Sequence, residues 1–195
     1  AGLRRGELQA QSVATRPYEA TRFREALDRA RDLTCEPPEV FTCQLGTACA
    51  EAGVAVAFVP ELPRLRTSGA TRWLSPSKAL IQLSLRYKTD DQLWFTFFHE
   101  SAHILLHGKR DVFLENDGES NEKEREADRF AADKLIPPQA LKSFEAGKTH
   151  FAKAEIQRFA AEVGVAPGIV VGRLQHDGRL PMSHCNDLKP HLEWG

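Results

Sequence analysis

Residues 90–108 read DDQLWFTFFHESAHILLHG, and this stretch decides the reading of the chain. Asp90 and Asp91 suit the first turn of a helix, and Gly108 suits its end. At about 100° per residue, Gln92, Thr96, His99, Glu100, His103 and His107 fall in one polar sector. Leu93, Trp94, Phe95, Phe97, Phe98, Ile104, Leu105 and Leu106 cover most of the rest. Such a helix is buried on nearly every side except its histidine stripe. Burying that stripe unpaired would cost about 1 to 3 kcal/mol for each polar group. It must therefore face partners or an open cleft. Within it, His99, Glu100 and His103 spell HExxH, the spacing in which two histidines one turn apart hold Zn²⁺ and the Glu between them acts on a metal-bound water. His107 lies a further turn along, too far to join the same tetrahedral site easily, and reads as a residue supporting the ligands or ending the helix.

A catalytic zinc site needs a third protein ligand and keeps its fourth position for water. A third His six residues beyond His103 is excluded, because residue 109 is Lys. The acids follow in a charged helix expected from about Asn121 to Ile136, stopped by Pro137 and Pro138. Ala127, Ala131 and Leu135 define its apolar stripe. Glu124 and Asp128 lie within that stripe one turn apart, whereas Glu122 and Glu126 point the other way. Glu124 is then the favoured ligand, with Glu126 its rival if the helix phase is shifted. Asp128 is placed to accept a hydrogen bond from a ligand imidazole.

Around these helices the pattern is mixed. An amphipathic helix is expected over Tyr18–Leu33, a second from Pro38 to a stop at Gly53, and three short β-like runs over Val54–Val59, Ala70–Leu74 and Ala79–Leu85. Shorter helices follow near Pro138–Phe144, Ala152–Val163 and Pro167–His176. The expected architecture is α+β, mostly helical with a small, largely antiparallel sheet of about three strands. Residues 1–34 read as a helical segment or linker, 35–180 as the main domain and 181–195 as an irregular tail.

Composition limits function. The chain has 195 residues, with 26 Lys plus Arg against 27 Asp plus Glu, so near-neutrality offers no bulk attraction to nucleic acid or anionic membrane. This length buries a core without staples, so a metal would serve chemistry rather than folding. Cys35, Cys43, Cys49 and Cys185 form no CxxC pair, and with no secretory signal or membrane-length apolar run the expected compartment is the cytoplasm. Residues 156–174, IQRFAAEVGVAPGIVVGRL, carry helix-turn-helix-like offsets. The charges of Lys153, Arg158 and Arg173 are cancelled by Glu155, Glu162 and Asp177, which favours a helical pair that packs or binds protein over one that tracks phosphates.

With HESAH followed by ILLH, and then EREADRFAADKLIP at 124–137, the sequence resembles the ImmA/IrrE family of zinc metallopeptidases over roughly Pro38 to Pro138. The resemblance implies a compact zincin-like domain with His99, His103 and Glu124 as zinc ligands and Glu100 as general base. It implies a gluzincin-like metallo-endopeptidase that cuts a partner protein at a limited site. Members of that family are often fused to, or act upon, helix-turn-helix (XRE-type) repressors of mobile-element, stress-response and toxin–antitoxin systems. Because the chain begins at Ala1 rather than Met, a DNA-reading domain is expected before it, and DNA contact only through that domain. The rival expectation is a regulatory or antitoxin-type binding module that cleaves little. Mn²⁺ or Fe²⁺ in place of Zn²⁺, and a homodimer, stay open, and His150 and Tyr87 are the candidates for an oxyanion donor.

Overall fold

A computed structural model describes residues 13–59, 69–84, 89–108 and 117–192, with backbone alone for 117–120. Helix α1 (Ala20–Asp32) starts where the Glu19 carboxylate accepts the amides of Thr21 (2.8 Å) and Arg22 (2.9 Å), and it buries Phe23, Ala26, Leu27 and Ala30. Helix α2 (Pro38–Glu51) has proline at its first position and leads through Gly53 into strand β1 (Val54–Val59). Gly53 has φ +84°, and a Cβ there would stand 2.3 Å from the Tyr18 backbone, so both the turn and the close approach require glycine.

Strands β2 (Gly69–Ser75) and β3 (Lys78–Ser84) form an antiparallel hairpin, as the last two β-like runs suggested. Strand β1 joins the other side of β3 in parallel, giving the order β1-β3-β2 and a mixed sheet where a largely antiparallel one was expected. Strand β3 is the most completely buried of the three, with Ala79 to Leu83 all buried, as befits the strand paired on both sides, and β1 and β2 flank it. Strand β2 is left at an edge.

Helix α3 (Asp90–Ala102) continues into a π turn, His103–His107, ended by Gly108 at φ +67°. It fills the core with Trp94, Phe97, Phe98 and Ile104, and Trp94 packs at a tilt of 59° against Phe41 of α2 with centroids 5.1 Å apart. Helix α4 (Asp117–Leu135) lies against α3 through the fully buried Ala127 and Ala131, small residues that let the two backbones approach. Helices α5 (Pro138–Glu145), α6 (Lys153–Val163) and α7 (Pro167–His176) complete the order. Helices α6 and α7 are the pair with helix-turn-helix-like offsets, and α7, the second of them, buries Ile169, Val170, Val171 and Leu174 in the core and leaves only His176 exposed.

The first helix and the tail share this core, which includes Phe23, Phe41, Trp94 and Leu192. Arg31 donates to the carbonyls of Lys134 (3.0 Å) and Val163, tying α1 to the ends of α4 and α6. The tail pins the start of α3: Lys189 pairs with Asp91 at 2.8 Å and donates to Gln175 Oε1 at 2.7 Å. Beside that pair, burial pushes the Asp90 carboxyl up to about 7. The first twelve residues, 60–68 and Tyr87 lie outside the described residues. Among those described, no helix is long and apolar enough to cross a membrane.

Candidate active site

The histidine stripe of α3 faces α4. His99 Nε2 and His103 Nε2 are 3.1 Å apart, and Glu124 of α4 stands over both, with Oε2 3.2 Å from His99 Nε2 and Oε1 3.4 Å from His103 Nε2. These three residues each offer one ligand atom within 4.8 Å of the others and could hold a metal ion. The acid that helical projection turned inward, Glu124, does meet both histidines, yet it does not sit in the dry interior: its side chain is 55% exposed.

The other nitrogens are occupied. His99 Nδ1 lies 2.8 Å from Asp128 Oδ1, one turn beyond Glu124 on the same face of α4. His103 Nδ1 lies 2.8 Å from His107 Nδ1, and His107 Nε2 lies 3.1 Å from Glu126 Oε2. Glu126 does point away from His99 and His103, as its phase requires; what it meets is His107, one turn further along. Burial holds the His103 imidazole below its ordinary value, against the pull of Glu124, and so favours the neutral form that can donate a lone pair.

Glu100 is buried between α3 and the edge strand. Thr71 Oγ1 donates to its Oε2 at 2.7 Å and lies 3.1 Å from its backbone carbonyl oxygen. Burial raises the Glu100 carboxyl above the usual range, while the Thr71 hydrogen bond and the charge of His99 pull it down. Two residues before Thr71, on the same face of β2, Gly69 leaves room for this carboxylate. A Cβ there would lie 2.6 Å from Thr96 Cγ2, 2.8 Å from Glu100 Cγ and 2.9 Å from Glu100 Oε1. Neither Thr71 nor Gly69 has a sequence signal, since each meets Glu100 only through the packing of sheet on helix.

Beyond Asp128 a cleft of about 520 Å³ opens between α3, α4 and α7, lined by Gln92, Phe95, Thr96, Asp128, Ile169 and Arg173. His150 is not drawn into the cluster; it is exposed in the segment before α6, beside Glu155. Tyr87 lies outside the described residues.

A helix bearing HExxH, packed under the edge of a small mixed sheet and faced by an acid from the next helix, is the build of a metallopeptidase domain. Residues 64–175, 112 of the 195, match the family described as the IrrE N-terminal-like domain, a peptidase family. The chain belongs to that family, whose members act on protein. No curated protein shows significant similarity to the chain.

Proposed function

We propose that the protein is a zinc-dependent metallo-endopeptidase of the gluzincin type. His99, His103 and Glu124 hold the metal, Glu100 acts as the base, and Asp128 orients His99. One observation carries the reading. The two histidine Nε2 atoms lie 3.1 Å apart, and Glu124 reaches His99 through Oε2 at 3.2 Å and His103 through Oε1 at 3.4 Å, separations close to the roughly 3.3 Å between atoms bonded at about 2.0–2.1 Å to a tetrahedral zinc. A neutral His103 suits this ligand set. Zinc held there would polarise a peptide carbonyl and make a water acidic near neutral pH. The residues of the chain do the rest. Glu100, its Oε2 anchored by Thr71, takes the proton of the attacking water and delivers it to the leaving amine nitrogen. The cleft beyond Asp128 receives a substrate side chain next to the reacting bond.

The substrate is a partner protein cut at a limited site, with a helix-turn-helix repressor as the first candidate, and the setting is cytoplasmic transcription regulation of the stress-response or toxin–antitoxin kind. This part rests on family analogy. The test is metal content together with hydrolysis of a peptide library and of a candidate repressor. The native protein should bind one zinc per chain and cleave. Glu100→Gln should keep the zinc and lose at least about 100-fold in rate, and Glu124→Ala should lose the zinc. Undiminished cleavage by Glu100→Gln would overturn the assignment. A zinc-loaded native protein that binds a repressor and cuts nothing would identify a regulatory module instead.

A further inference from the structure

We infer that His107 and Glu126 are positioning residues for His103, a relay that fixes its tautomer and presents Nε2 to the metal. The inference rests on the metal reading above and adds two residues to it. Nothing about HExxH requires a third histidine, yet the His107 side chain is only 7% exposed and both of its nitrogens are engaged. The π turn His103–His107 brings the two rings to a centroid distance of 4.9 Å. Single-turn π segments within helices recur at functional sites.

Counting hydrogens gives the relay its direction. An imidazole that ligates through Nε2 carries its hydrogen on Nδ1, so His103 Nδ1–H must donate across the 2.8 Å gap to His107 Nδ1. His107 Nδ1 then accepts, its own hydrogen sits on Nε2, and that N–H donates to Glu126 Oε2 at 3.1 Å. Each gap holds one hydrogen. In the reverse sense His107 Nδ1–H would donate to His103, placing the His103 hydrogen on Nε2, where it blocks the ligand lone pair. It would also leave a bare His107 Nε2 facing a carboxylate 3.1 Å away, acceptor against acceptor. Glu126 therefore decides the tautomer of His103 from two residues away. His99 reaches the same end directly, through Asp128 at 2.8 Å. Both ligand imidazoles are thus backed by a carboxylate, one of them through an interposed ring.

The test uses His107→Phe, which keeps a ring without an acceptor, His107→Gln, which restores an acceptor, and Glu126→Gln, an exposed change that can donate to His107 Nε2 and so permits the reverse sense. Two quantities are read at about pH 8, where free imidazole is neutral: the His103 tautomer in metal-free protein by long-range ¹H–¹⁵N spectra, and zinc affinity by chelator competition. His107→Phe should mix the His103 tautomers and weaken zinc about 10- to 100-fold. His107→Gln should recover most of that loss, and Glu126→Gln should shift the tautomer and weaken zinc about 10-fold. Zinc affinity within twofold of native in Glu126→Gln, with His103 still protonated on Nδ1, would overturn the relay even if His107→Phe fails to fold. If the native protein binds no zinc, the metal reading fails, while the tautomer in metal-free protein still decides the relay.

Discussion

Gly69→Ala isolates the seat of the general base. Gly69 lies in an extended strand paired with Leu83, so alanine meets no backbone strain there and the effect is one of space. The new methyl would stand 2.6 Å from Thr96 Cγ2, 2.8 Å from Glu100 Cγ and 2.9 Å from Glu100 Oε1. Ordinary contact begins near 3.4 Å, so Glu100 must move by roughly 0.5 to 0.6 Å and the Thr96 methyl by roughly 0.8 Å. Overpacking of this kind costs about 1 to 3 kcal/mol of stability. Misplacing a reacting group by about 1 Å costs about 100-fold in rate, equivalent to about 2.7 kcal/mol. The expected result is a kcat/KM lower by about 30- to 100-fold on a peptide library. Zinc affinity should stay within about threefold of native, because the atoms nearest the new methyl belong to Thr96 and Glu100 and none to a ligand. Thr71→Val, which removes the hydroxyl and keeps the shape, should lower the rate in the same direction by withdrawing the 2.7 Å hydrogen bond. A folded Gly69→Ala protein with native kcat/KM would refute the placement of Glu100 as base. A loss of zinc binding in place of rate would show that the carboxylate belongs to the ligand set.

Three further outcomes follow from the same structure. Chelation should leave the far-ultraviolet circular dichroism unchanged, because the three candidate ligands are partly exposed and the apolar core is built without them. Zinc at about 100 times its Kd should then add about 2.7 kcal/mol, raising Tm by roughly 5 to 10 °C, and unfolding on chelation would contradict this. The native state holds the Asp90 proton up to about 7, against about 3.8 for an ordinary aspartate, so this group stabilises the fold below about 3.8 and loses that contribution as pH rises to about 7. The span corresponds to roughly 4 kcal/mol, and in urea titrations at pH 5 and pH 8 Asp90→Asn should show a markedly smaller difference in midpoint than native. Lys189→Met leaves the Asp91 carboxylate buried without its cation and should cost about 3 to 5 kcal/mol, part of which Lys189→Met combined with Asp91→Asn restores; no gain in the double variant would mean the pair is only packing.

Much of this was legible before any coordinates. Helical periodicity with flanking Pro and Gly placed α2 and α7 nearly to the residue, the short apolar run placed β1, and the phase argument separated Glu124 and Asp128 from Glu126. Periodicity worked because the buried faces of these elements are continuous and their ends carry Pro or Gly. It failed where partners come from different elements. The parallel union of β1 with β3 depends on which strand the packing places at the centre of the sheet, a comparison between strands that no single run contains. The half-exposed setting of Glu124 depends on how α4 crosses α3 rather than on its own stripe.

The sequence by itself determined the helix of HExxH, its one polar stripe, the acid that answers it and the family to which they point, because each of these is local periodicity along one helix. Only the tertiary structure decided what stands behind those residues: Thr71 and Gly69 seating Glu100, and Glu126 reaching His107 behind His103. These contacts join positions 19 to 31 residues apart on separate elements, and hydrogen-bond polarity at a site is set by which groups meet in space, not by their order along the chain.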